Sequence, residues 1–292
     1  MSVMSNSQPQ RHWAIVGAGR VGCTLGLVAK ELGFVVDATW NRSAEKARQV
    51  ATLIDPEHTY HADIEQVASR IVAGVDVVWI TVIDAEIERV ARCLAPYLVA
   101  DQLVLHTAGS LGAQILKDAG VPGPVASLHP LQAITEPRAA AKSLAKCAWT
   151  VEGDAEAVAF ARAFMAQLGV SPVEIDSDSK TLYHASAVTA ANLLVALIDA
   201  AFQMAQAAGM SRDDARRLML PLAQSCIENL ERQDTPQALS GPAARGDQTT
   251  IDRHLQALAA LDDPGLRAIY QTLTDRALAL AARRDESSDE LE

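Results

Sequence analysis

The stretch WAIVGAGRVG, residues 13–22, decides the fold. A short, β-rich apolar run ends in Gly17-Ala18-Gly19-Arg20-Val21-Gly22, a G-x-G-x-x-G placed where a strand gives way to a helix. In that setting Gly17 permits the tight turn, Gly19 lets the backbone approach a pyrophosphate, and Gly22 lets helix and strand pack closely. Helix N-terminal amides then face the anion. Cofactor contacts are expected from all six positions, the alternative being a glycine-rich turn that binds nothing.

Outward from this loop, β-rich runs at 34–40, 75–82, 103–108, 124–129, 147–151 and 172–175 alternate with helical stretches such as 22–32, 43–52 and 155–168. That alternation predicts a mostly parallel sheet covered by helices on both faces. Beyond residue 176 the 3.6-residue period takes over, with helices expected over 180–208, 211–232, 250–261 and 264–284. The fold class is therefore α/β: a Rossmann-like domain over 11–176, an all-helical domain over 177–284, and an acidic, unstructured tail over 285–292. The apolar stretch 185–210 carries Ser186, Thr189, Asn192, Gln203 and Gln206, a polar density that suits a helix buried between protein layers better than a lipid-facing one.

The end of the second strand reads the cofactor. Enzymes that use NAD place an acid there against the ribose hydroxyls, whereas this chain has Asn41-Arg42-Ser43, with Lys46 one turn on. Arg42 can stack on adenine and bind a 2′-phosphate, Ser43 can donate to the same group, and no carboxylate repels it. NADP is the expected cofactor, with NAD and the deazaflavin F420 as alternatives; an ordinary solvated loop arginine is the bland reading of Arg42. Asp37 lies mid-strand, too early for the ribose role. Loops after two later strands bring Thr81, Val82 and Thr107 to the same crevice.

Lys180-x-x-x-His184 opens the long helix, and residues four apart share a helical face, so both side chains can point into an interdomain cleft. The alternative is a snorkelling lysine and a packing histidine. His129 follows the fifth run and is read either as a group on substrate or nicotinamide, or as a loop histidine bonded to backbone. Asn192, two turns past His184, contacts substrate or a neighbouring helix. Arg245 is either a fork for a substrate carboxylate or half of a salt bridge, with Asp247 or between the domains.

The motifs GAGRVG at 17–22, WNRS at 40–43, TVIDAEI at 81–87, LHTAGSLG at 105–112, SLHPLQA at 127–133, KTLYHASAVTAANLLVAL at 180–197 and GPAARGDQTTIDRHL at 241–255 together resemble the Rossmann-like proteins with a C-terminal DUF2520 domain, within the 6-phosphogluconate dehydrogenase-like superfamily. Similarity at a greater distance reaches ketopantoate reductases and pyrroline-5-carboxylate reductases. The resemblance implies an NADP-dependent oxidoreductase whose helical half often dimerises. It also implies catalytic roles for Lys180, as acid or electrostatic stabiliser, and for His184, as its partner or relay. The superfamily dehydrogenases carry K-x-x-x-N at this point, so a histidine stands here where they have asparagine. Reduction of a small oxo- or imino-acid is the expected function; ketopantoate reduction and a non-catalytic dinucleotide sensor are the alternatives.

Composition excludes other classes. Over 292 residues the hydrophobic share is 49% and the charged share 21%, the balance of a globular chain. A net charge of −11 argues against a nucleic-acid or anionic-membrane binder. Five of those negative charges lie in the last eight residues, so Arg42, Lys180 and Arg245 can still form a locally positive site for an acidic substrate. Cys23, Cys93, Cys147 and Cys226 form no C-x-x-C pair, so no metal site is expected. A polar start without an apolar leader points to a cytoplasmic protein.

Overall fold

Parallel strands read as near-continuous apolar runs because both of their faces are covered. The computed structural model describes residues 11–57, 60–61, 63–72, 74–132 and 134–289. Its strands are β1 (His12–Val16), β2 (Val35–Trp40), β3 (Tyr60–His61), β4 (Val77–Ile80), β5 (Leu103–His106), β6 (Val125–Pro130), β7 (Trp149–Gly153) and β8 (Val173–Glu174). They form one sheet in the order β3-β2-β1-β4-β5-β6-β7-β8. Only the β6–β7 pairing is antiparallel. Strand order reverses between β1 and β4, so the crevice for a ligand lies outside their carboxyl ends.

Helices α1 (Arg20–Glu31), α2 (Ala44–Ile54), α3 (Ile64–Val72), α4 (Ile87–Leu94), α5 (Gln114–Asp118), α6 (Pro137–Ser143) and α7 (Ala155–Gln167) connect the strands, and α8 (Lys180–Val188) follows β8. Period-2 alternation divides β1 between two cores. Trp13 and Ile15 pack with residues of α1 and α7, while Ala14 and Val16 pack with α3 and α4. The rings of Trp13, Phe34, Trp79, Phe160 and Phe164 meet in the first of these cores. Few as they are, aromatic side chains gather at the centre of the sheet.

After α8 come a π-helical segment, Thr189–Leu193, then α9 (Leu194–Ala207), α10 (Arg212–Leu230), α11 (Thr235–Ala238), α12 (Gln248–Ala259) and α13 (Pro264–Asp289). Ser211 caps α10 by accepting the Asp214 N–H at 3.1 Å. Contacts divide the chain into two compact units, Met1–Val188 and Thr189–Glu292. The division falls beyond the expected 176/177 boundary because α8 is bonded to the sheet through Lys180 and Tyr183. The run 285–292, read as an unstructured tail, begins as helix, since α13 continues through Asp289; residues 290–292 lie outside the described residues.

One helical stretch, Ser177–Ala207, is long and apolar enough by length and composition to cross a membrane, with mean hydropathy 1.7, and 11% of its apolar window is buried. A helix buried between protein layers was expected here. Within the single chain that burial is missing: Leu193, Val195 and Leu197 are exposed.

Candidate active site

The glycine loop is built for a ligand on one side and for the protein on the other. Gly17 has φ +116°, and a Cβ there would lie 2.5 Å from both Thr81 C and Val82 N. A Cβ on Gly22 would meet Gly17 O and Thr81 Oγ1 at 2.6 Å each. At Gly19 the nearest atom to a Cβ would be Gly17 O at 3.9 Å, so the space this residue leaves belongs to no protein group. Amides of Gly17 and Ala18 donate to Trp40 O at 2.9 and 2.6 Å, fixing the loop against β2. Cys23 N–H makes the first bond of α1, to Gly19 O, so the amides of Arg20, Val21 and Gly22 have no partner within the helix. No side chain caps α1, and its first turn holds no acid. A cavity of about 200 Å³ opens here, lined among others by Gly17, Gly19, Asn41, Arg42, Lys46, Thr81 and Val82. The open face at Gly19, the free helix terminus and the cations at the end of β2 fit a dinucleotide phosphate.

Further along the same carboxyl edge, the first turn of α8 delivers Lys180 into the interior. Its side chain is 2% exposed; Nζ donates to Ser127 Oγ and, at 3.2 Å, to Ala108 O, and lies 3.5 Å from Glu152 Oε1. Glu152, 3% exposed, also accepts the Ala113 N–H at 2.7 Å and the Ser177 hydroxyl. Burial draws the Lys180 ammonium below its ordinary range, while Glu152 opposes that shift. A charged pair this buried survives because each member has hydrogen-bond partners.

Above this network stand three rings. His129 Nδ1 lies 2.9 Å from the Tyr183 hydroxyl, which accepts from Thr150 Oγ1 at 3.1 Å. The His184 ring faces His129 edge-on at 5.8 Å, and its Nδ1 is buried without a hydrogen-bond partner. Gly109 allows this approach: a Cβ on it would collide with His184 Nδ1 and come within 2.8 Å of His129 Nε2. Burial, then the Lys180 charge, pulls His129 down to about 4; the same two causes hold His106, bonded to Gly112 O and the Ala108 N–H, at about 3.

Both histidines are therefore neutral near pH 7, and the unfolded chain, titrating near 6.5, binds more protons than the fold below that pH. Their stabilising effect is complete above about 6.5 and is lost as the pH falls toward 4 and 3. Urea midpoints measured from pH 7 to pH 4 are expected to fall, and His129→Gln to flatten the slope between 6.5 and 4. An unchanged slope in the variant contradicts this assignment.

The structure brings Lys180, His184 and His129 together at one end of the sheet, with Lys180 turned into the interior. Thr81 bridges to Gly17 O at 2.8 Å and lines the cavity at the glycine loop with Val82, whereas Thr107 sits half-buried in the loop after β5, outside the lining. Asn41 ties the loop down, donating to Ala18 O at 3.0 Å. Ser43 caps α2, accepting the Lys46 N–H at 3.3 Å, and does not line the cavity. Asp37 pairs with His12 at 2.8 Å. Asn192, in the π-helical segment, and Arg245 belong to the second unit and are exposed. Asp247 caps α12 through Thr250 rather than forming a salt bridge with Arg245. Sequence reasoning missed Tyr183, Thr150, Glu152, Ser127 and Gly109; Tyr183, Ser127 and Gly109 lie inside quoted motifs, whereas Thr150 and Glu152 carried no signal.

Strand order, glycine cradle and helix terminus define a Rossmann-like nucleotide-binding class. Residues 3–130 match the Rossmann-like domain model and residues 147–277 the domain of unknown function DUF2520. The chain thus joins a Rossmann-like domain to a DUF2520 domain. No protein of curated function matches it in sequence. Among solved structures it is similar to protein TM1727 from Thermotoga maritima, with 21% identity, TM-score 0.70, and coverage of 94% of this chain and 99% of that one. It is also similar to an NADP-bound pyrroline carboxylate reductase from Plasmodium falciparum, with 13% identity, TM-score 0.58, and coverage of 93% and 98%. A reductive aminase from Aspergillus terreus, solved with NADPH4, cyclohexanone and allyl amine, shares 15% identity at TM-score 0.64 over 95% and 99%. At these identities the likeness concerns the fold.

Proposed function

We propose that this chain is an NADP-dependent oxidoreductase that reduces a small oxo- or imino-acid. One observation carries the reading: a phosphate cradle at β1 and β4 and a histidine–tyrosine cluster at β6 occupy the same carboxyl edge of one sheet. By strand spacing the two lie about 14 Å apart. When bound, the dihydronicotinamide supplies hydride to a C=O or C=N carbon. The chain's own part is to hold and to protonate. The first-turn amides of α1 take the pyrophosphate; Arg42 and Lys46 take a 2′-phosphate. His129 presents a neutral imidazole, with the His184 ring beside it, for the oxygen or nitrogen that gains charge. Lys180 acts as a positioning residue beneath them, with the role of acid or electrostatic stabiliser as the alternative. Arg245 and Asn192 are proposed for the substrate's carboxylate, and ketopantoate is one oxo-acid of the class.

A second copy of the chain is the proposed cover for the exposed leucines and valine of α9 and the π-helical segment before it. Sedimentation should give a dimer, and a monomer at micromolar concentration rejects that cover. The function is tested by following NADPH oxidation over a panel of 2-oxo acids and cyclic imines. Tight binding with no turnover on any of them points instead to a dinucleotide sensor. Arg42→Ala is expected to weaken NADPH about tenfold or more and to leave NADH unchanged, since a charge-assisted hydrogen bond contributes roughly 1.5–3 kcal/mol. Equal loss for both cofactors removes Arg42 from the 2′-phosphate.

A further inference from the structure

We infer that Thr150, Tyr183 and His129 form a directed hydrogen-bond chain, Thr150 O–H to Tyr183 O and Tyr183 O–H to His129 Nδ1, that fixes His129 with its proton on Nε2 and lends a proton to Nδ1 when Nε2 gives its own away during turnover. The inference rests on the reductase reading and gives Tyr183 a role that the family resemblance does not assign. The Tyr183 oxygen lies 2.9 Å from His129 Nδ1 and 3.1 Å from Thr150 Oγ1, so it has one neighbour to receive from and one to donate to. With Nδ1 accepting, the imidazole proton sits on Nε2, the atom that stands 2.8 Å from the position a Gly109 Cβ would fill. Glycine at 109 keeps a side chain away from that nitrogen. Thr150 is buried on β7 and Tyr183 is half-buried on α8, so the chain runs from sheet to helix and ends on a ring that water can still reach.

The proton count balances. As the substrate carbon is reduced, the C=O or C=N electron pair moves to the heteroatom, which takes the Nε2 proton of His129. Nδ1 then takes the Tyr183 hydroxyl proton, leaving a neutral imidazole of the other tautomer. The resulting phenolate, held by the Thr150 hydrogen bond, takes its proton back from Nδ1 as Nε2 takes one from solvent, which restores the starting tautomer. No cationic histidine is needed at any point, in keeping with a ring that burial and Lys180 hold neutral. Lys180, Glu152 and Ser127 act below as positioning groups that hold α8 against β6 and β7.

The test separates this chain from the reductase reading. Long-range proton–nitrogen NMR of histidine-labelled protein reports the His129 tautomer without any substrate or cofactor. The expected result is an Nε2–H ring in the parent and a mixture of tautomers in Tyr183→Phe; an Nδ1–H ring in the parent overturns the proposal whatever the turnover. With a substrate from the panel, Tyr183→Phe should lose tenfold or more of kcat while KM for NADPH stays within twofold. A kcat unchanged in that variant also overturns it. Absence of NADPH oxidation on every substrate sinks the reductase reading and the donor role with it, and leaves the tautomer measurement to be read on its own.

Discussion

Lys180→Met is expected to lower the stability of the protein by about 3–5 kcal/mol, the cost of leaving one partner of a buried ion pair uncompensated. The residue left behind is Glu152, 3% exposed, which retains the Ala113 N–H and the Ser177 hydroxyl but loses its only cationic partner among the described residues. Two hydrogen bonds lessen the penalty without removing it, because the carboxylate still lacks a countercharge. The double variant Lys180→Met, Glu152→Gln should recover much of the loss, since a neutral amide tolerates burial far better. Urea unfolding of the parent, both single variants and the double variant reads the coupling directly. Additive single effects mean that the pair is not coupled. Activity separates the two roles that Lys180 has been given. A residue that touches substrate leaves stability nearly intact and abolishes turnover in both backgrounds, whereas a positioning residue regains turnover when stability returns. The second outcome is expected here, because Nζ is spent on Ser127, Ala108 O and Glu152.

What could be read in the sequence followed from distance along the chain. Residues 13–22 carry strand, turn and helix start within ten positions, and the structure has all three there. Seven β-rich runs correspond to seven strands, but β3 is two residues long and pairs only with Thr39 and Trp40, too little to leave a periodic signal. The K-x-x-x-H spacing placed Lys180 and His184 on one helical face, yet spacing says nothing about which way that face turns. It turns inward, and the partners that decide this, Ser127 and Ala108, lie 53 and 72 residues earlier. Tyr183 meets His129 across 54 residues, so its position in the site could not be seen locally either. The apolar helix misled in the opposite sense: an apolar composition reports what a surface needs, and the single chain does not cover it.

Gly17→Ala and Gly19→Ala should part company, though they differ by two positions in one loop. At Gly17 the added methyl meets backbone atoms of Thr81 and Val82 at 2.5 Å, from a φ of +116° that L-residues rarely adopt. Backbone cannot swing aside as a flexible side chain can, so the β1–α1 turn or the β4 end must move. The variant is expected to lose roughly 2–4 kcal/mol through strain and local repacking, and to lose NADPH binding as a consequence. Gly19 has φ −92° and ψ −157°, extended backbone that alanine accepts, and its methyl would touch nothing nearer than 3.9 Å. Gly19→Ala should therefore melt within about a degree of the parent, a shift well below what 1 kcal/mol produces in a domain of this size. Its methyl would stand in the space open to a phosphate, so NADPH affinity should fall on the order of a hundredfold while the fold is untouched. Calorimetry and fluorescence titration of the two variants side by side decide the matter. Equal loss of stability in both, or full NADPH affinity in Gly19→Ala, places the cofactor somewhere other than on this loop.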